Sequence, residues 1–161
     1  MRDILFRGKR IKDGKWMYGL LDDENHGADF TAILPNRNDA ARYVSWRVDP
    51  DTVGQYTGLQ DKNGKRIFEG DIFKFPDEVF ESYDTSCGTE YNSWDTENYG
   101  VVGFCEFTGR FDFVQYRFNQ SSVDADLHEN HNMEFHDFVC ELEVIGNIHD
   151  NPELLEWERH G

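Results

Sequence analysis

Apolar and polar positions alternate along much of this chain, and glycine cuts the alternation at short intervals. Ile4 and Phe6 stand between charged neighbours, and Trp16, Tyr18 and Leu20 share one face of the next run. That period of two is the mark of half-buried strands. Asp13-Gly14 separates the two runs, so residues 3–21 predict a β-hairpin, its turn needing positive φ at both central positions. Residues 22–29 read as a polar loop and 30–34 as a strand stopped by Pro35. A further strand is expected over 43–48, with Tyr43, Ser45 and Arg47 opposite Val44, Trp46 and Val48, and another over 53–57.

Residues 61–75, DKNGKRIFEGDIFKF, carry two turn signals within a few positions: Asn63-Gly64 and Glu69-Gly70. They frame a short strand at 65–68 and release another at 71–75. Glycine relieves strain where a strand changes direction. Two such corners predict a small, strongly bent, SH3-like β-barrel. A second hairpin follows, from 101–107 through Thr108-Gly109 to 111–118. Its return strand places Phe111 and Phe113 on one face and Val114, Tyr116 and Phe118 on the other. The change of phase requires a bulge or a strand covered on both sides.

Toward the end the period changes. Phe135, Phe138, Val139 and Leu142 recur at helical spacing, which predicts a short helix over 132–140 with Asn132 as its cap. Leu142, Val144 and Ile148 return to a strand pattern. Asn151-Pro152-Glu153 opens a last short helix, with Asn as cap and Pro in its first position. The fold class is therefore mainly β (α+β): a bent barrel, an additional hairpin and short C-terminal helices.

Composition sharpens this reading. The chain has 161 residues and a net charge of -16, a length suited to one domain, 1–161. Residues 1–75 hold 13 Lys/Arg against 12 Asp/Glu, whereas residues 76–161 hold 3 against 20. Residues 76–100 have seven acidic side chains and no Lys or Arg. They read as a mobile acidic insertion, since loops of that length are commonly lids or disordered. No apolar run reaches the ~20 residues of a membrane-spanning helix, so no membrane partner is expected. The start of the chain lacks the apolar core of a secretory signal. Three cysteines without close spacing, Cys87, Cys105 and Cys140, suit reduced thiols in a cytoplasm.

Candidate chemistry is sparse. His128, His131 and His136 lie among acidic residues and are the weak candidates for metal ligands. His128 and His131 have a spacing zinc accepts, but His136 would sit roughly 140° round a helix from His131. No metal or other cofactor is therefore expected. Phosphate-binding and dinucleotide motifs are absent, and no catalytic residue stands out. Arg2, Arg7, Lys9, Arg10, Lys12 and Lys15, interleaved with Trp16 and Tyr18, form a candidate interaction surface. Such a mixture suits single-stranded nucleic acid, although the acidity of the whole chain opposes it. Asp13, Gly14, Asn63, Gly64, Glu69 and Gly70 are expected to act through turn geometry alone.

Three blocks resemble the YopX family of phage and prophage proteins: ILFRGKRIKDGKWMYGLL near the start, DTVGQYTGLQDKNGKRIFEGDIF from Asp51, and LEVIGNIHDNPELLE from Leu142. They stand in the family's order and frame the chain, whereas 76–100 and 124–137 match nothing in it. The resemblance implies a mainly β, phage-derived protein in a bacterial cytoplasm, and self-assembly into a ring-like homo-oligomer. It implies no reaction, cofactor or catalytic residue. The reading favoured by the sequence is a non-enzymatic accessory protein that self-assembles or binds a host or phage protein. The alternatives are a nucleic-acid-related role, by direct binding through the basic hairpin or DNA mimicry by the acidic half, and a metal-dependent enzyme using the histidine segment.

Overall fold

A computed structural model describes the chain over residues 4–22, 31–34, 45–117 and 139–156. Arg2, the three candidate histidines and most of the helix expected at 132–140 lie outside the described residues. β1 (Phe6–Lys9) and β2 (Trp16–Asp22) pair antiparallel, from Phe6 opposite Gly19 to Lys9 opposite Trp16. β3 (Thr31–Leu34) pairs with β2, and β4 (Trp46–Val48) with β3. A 3-10 turn (Pro50–Thr52), capped by the Asp49 carboxylate, leads into β5 (Gly54–Gln60). β5 pairs with β1, and β6 (Arg66–Phe68) with β5. The first sheet thus runs β4-β3-β2-β1-β5-β6.

This sheet curls. The Ile11 N–H donates to the Arg47 carbonyl at 3.1 Å and the Asp49 N–H to the Lys9 carbonyl at 2.8 Å, and Arg10 bridges Val48. β4 therefore returns to the end of β1, enclosing Ala32, Ile33 and Val48. The β1–β2 connection differs from the expected tight turn. Gly14 has φ of 68°, but no described residue other than glycine has positive φ. The Asp13 and Gly14 N–H groups both donate to the Arg10 carbonyl, and the Asp13 carboxylate accepts from the Arg10 guanidinium. That ion pair holds a wider loop, which needs the left-handed conformation only at its last residue.

The second sheet contains β7 (Asp71–Thr85), β8 (Gly88–Cys105), β9 (Arg110–Arg117) and β10 (Val144–Asn147), ordered β10-β7-β8-β9. The two turns in 61–75 now have separate tasks. Gly64, at φ 79°, folds β6 back on β5 within the first sheet; Gly70, at φ 81°, carries the chain into the second. The corner is held at both ends of one residue, since the Gly70 N–H donates to the Val102 carbonyl at 2.8 Å and its carbonyl accepts from Ile148 at 2.9 Å. Between the sheets Ile67, Phe73, Val102, Phe113, Val139 and Val144 form one core cluster. A Cβ built on Gly64 meets nothing within 4 Å, so Gly64→Ala should report backbone strain alone. We expect a loss of about 1–2 kcal/mol, with Gly64→Asn losing less; urea unfolding would check both.

Three further expectations change. Residues 76–100, expected as a loop, are strands: β7 and β8 pair continuously from Ile72 opposite Val101 to Thr85 opposite Gly88. Charge hid them, because their polar positions give no contrast between two faces. The final helix is a single 3-10 turn (Pro152–Leu155), and Asn151 makes no side-chain capping bond. Its carboxamide instead donates to Glu153 and accepts from the Asn147 N–H. The strand expected through Ile148 ends at Asn147, with a register shift between Val144 and Gly146. The bulge expected in the return strand is present: Val101 pairs with Gln115 and Val102 with Phe113, which leaves Val114 over.

Candidate functional site

Polar groups of β1 and β2 meet the Gly70 corner and the loop after β10. Arg7 lies on β1, whose inward positions close on β6 and the Gly70 corner. It is 5% exposed, and its Nη1 contacts the Asp71 carboxylate at 2.6 Å; Asp71 is 1% exposed. Its Nη2 donates to the Glu69 carbonyl at 2.9 Å. The guanidinium lies 4.7 Å from the Trp16 ring centre and 5.0 Å from that of Phe68, a geometry in which the ring faces attract the cation. Asp71 also accepts the Phe68 N–H at 2.8 Å. Among the described residues the Arg7 Nε is the one buried side-chain polar atom without a hydrogen-bond partner. Burial pushes the Asp71 carboxyl above its ordinary value, although Arg7 and the Phe68 N–H pull it down.

A second layer covers Trp16. Its indole N–H donates to Asp150 at 2.7 Å. Lys9 contacts the same carboxylate at 2.5 Å, and the Asn147 amide donates to it at 2.8 Å. Burial works against the Asp150 carboxylate, but these donors outweigh it and hold its pKa at about 2. The His149 ring stands 6.0 Å from Trp16. Burial, and then Arg7 and Lys9, push its pKa below the ordinary imidazole value. Tyr18 packs on Phe68 at 5.6 Å, with its hydroxyl pKa raised by burial.

A third anchor is Asp61, 5% exposed. Its carboxylate accepts from the N–H groups of Asn63 and Lys65, both at 2.9 Å, and of Val144 at 3.1 Å. Lys62 donates its own N–H to the Leu142 carbonyl. The β5–β6 turn is thereby tied to the start of β10.

The candidate interaction surface divides accordingly. Arg7 is not a surface residue, and its charge is spent inside the fold. Lys9 is held by Asp150 and Arg10 by Asp13, whereas Lys12 and Lys15 are exposed. The structure brings Arg7 and Lys9 together around Trp16 and leaves Arg10, Lys12 and Lys15 at the hairpin tip. Asp71, Asp61 and Asp150 were missed because Arg7, Val144, and Lys9 with Trp16, the partners that give each its role, lie far away in the chain. The signal available was an acid beside each glycine or asparagine turn. Among the described residues no group of three His, Cys, Asp or Glu is placed to hold a metal ion, and no helix is long and apolar enough to cross a membrane.

The family model described as YopX protein matches residues 5–156, nearly the whole chain. A crystal structure of protein EF1440 from Enterococcus faecalis is similar, at 24% identity and a TM-score of 0.45 over 97% of this chain and 100% of that one. None of the curated proteins compared matches.

Proposed function

The chain belongs to the YopX family, and on that premise we propose a non-enzymatic accessory protein of phage or prophage that acts in the bacterial cytoplasm by associating with proteins, its own copies included. One observation carries the reading. Among the described residues the β7–β8 hairpin continues well past both of its neighbours, since β10 pairs β7 as far as Phe73 and β9, described up to Arg117, pairs β8 between Tyr99 and Cys105. An isolated two-stranded hairpin is marginal in water, so such an arm gains from company. The polar cluster around Trp16 supports the non-enzymatic part, because Arg7, Lys9, Asp71 and Asp150 are engaged with one another. The return of β4 to β1 supports the bent, SH3-like barrel within the first sheet.

Direct nucleic-acid binding loses its main support, because three of the hairpin's cations are engaged by carboxylates. Association between copies fits the charge division better. Lys12, Lys15 and Lys65 are exposed on the first sheet's turns and Arg66 at the start of β6, and the arm is acidic. A head-to-tail contact of that kind closes into a ring where its rotation allows. Salt screens exposed charges over about 8 Å at physiological strength. Light scattering on sized fractions should therefore find oligomers at low salt that move toward monomer as salt rises. Lys12→Gln with Lys15→Gln should shift the balance the same way. A monomer at every salt concentration would remove self-association from the proposal.

A further inference from the structure

The arm's outer edge has a chemistry that selects its occupant. β7 continues from Phe75 to Thr85 after its pairing with β10 has ended. The described residues just before β10 do not follow it, because the Leu142 carbonyl turns away to accept from Lys62. Among the described residues nothing pairs with this edge over those positions, a length of roughly 35 Å at ~3.4 Å per residue. Pro76, with no N–H to give, is tolerated there because sheets admit proline on edge strands.

The charge on the ribbon is one-sided. Residues 76–100 carry seven acidic side chains and no Lys or Arg. The register sets Glu78 opposite Asp95, and like charges directly opposite destabilise a strand pair. Other acids follow along β7 at Glu81 and Asp84. A second acidic arm laid on this edge would add repulsion along its whole length. A cationic strand would supply backbone partners and relieve the repulsion together.

We propose that the edge of β7 over residues 75–85, unpaired among the described residues, takes an extended cationic segment of a partner protein by strand addition, the mode in which main-chain bonds give affinity and side chains give selectivity. The proposal rests on the protein-association reading above and names its partner's chemistry.

The test uses the full chain and a fluorescent peptide of about ten residues alternating lysine and valine, long enough to cover the edge. Fluorescence anisotropy should show binding at low salt. The same peptide with a central proline, which cannot continue a ladder, should bind about tenfold more weakly, and a glutamate–valine peptide should not bind. Glu78→Gln combined with Glu81→Gln and Asp84→Asn should weaken the lysine peptide about tenfold while the thermal midpoint of the protein holds or rises, since the repulsion of Glu78 and Asp95 is relieved. Equal binding of the proline peptide would overturn strand addition in favour of charge alone. No peptide binding by a protein that still oligomerises in light scattering would overturn this inference and leave the association reading standing. No binding by a protein monomeric at every salt concentration would remove both.

Discussion

Asp71→Ala should destabilise the fold by about 3–5 kcal/mol, the usual consequence of removing one member of a buried ion pair. The substitution leaves the Arg7 guanidinium in the interior, where it cannot give up its proton. It also strips the Phe68 N–H of its acceptor. Arg7→Met should cost less, because the carboxyl it abandons takes up a proton. The sign of the pH dependence follows from burial, which raises the Asp71 pKa in the folded protein. A raised folded pKa contributes stability below the unfolded value of about 3.9, and that contribution is lost as pH rises through the folded value. In Arg7→Met the rise is larger, so this variant should weaken further between acid and neutral pH. Combining Arg7→Met with Asp71→Asn keeps an acceptor for Phe68 and removes both charges. The double variant should recover most of the loss, since apolar replacements of buried pairs are often neutral. Urea midpoints of the four proteins at pH 7 would decide it; an Asp71→Ala loss near zero would show the pair to be dispensable.

Asp61→Ala should cost about 3 kcal/mol, because three backbone N–H groups lose a charged acceptor at once. Asp61→Asn keeps one acceptor oxygen and should cost about half as much. Burial tends to raise the Asp61 pKa, but the N–H groups of Lys65, Val144 and Asn63 prevail and depress it. A depressed folded pKa gives stability that is present above the unfolded value of about 3.9 and is lost as pH falls through the folded one. The gap between the native protein and Asp61→Asn should therefore be full near neutral pH and should close in acid. Unfolding measured from pH 7 down to pH 3 would show it, and a gap that widens in acid would contradict the clamp.

What could be read from the residues is what the residues settle locally. The first hairpin, the Gly64 and Gly70 corners, the Thr108-Gly109 hairpin and the bulge at Val114 all follow from period and turn chemistry within a few positions. The β1–β2 loop type was missed because an ion pair between Arg10 and Asp13 competes with the turn preference of Asp-Gly. The long arm was missed for another reason. Val79, Phe80, Tyr83, Tyr91 and Trp94 all have strand preference, yet the acids between them blur the alternation that marks a buried face. Arg7 was read as surface because it is charged; its burial depends on a carboxylate far along the chain that no local pattern announces. The histidine segment lies outside the described residues, and its expectation stands where the sequence left it.

The seam between the ends of the chain also governs how the protein is made. β7 finds its neighbour β10 only through residues 144–147, and Lys9 and Trp16 find Asp150 only when that loop arrives. Contacts that join the beginning of a chain to its end close slowly, because the intervening loop entropy is lost before they form. On a ribosome, the first sheet can curl early and Arg7 can meet Asp71, but Trp16 and Asp61 wait for partners that emerge much later. Until residues 142–151 are free of the exit tunnel, the β7 edge beside β10 and the core around Val102 and Phe113 stand open to solvent. Nascent chains stalled before Val144 should accordingly be protease-sensitive and prone to premature pairing, and release of one further short segment should make them resistant in a single step.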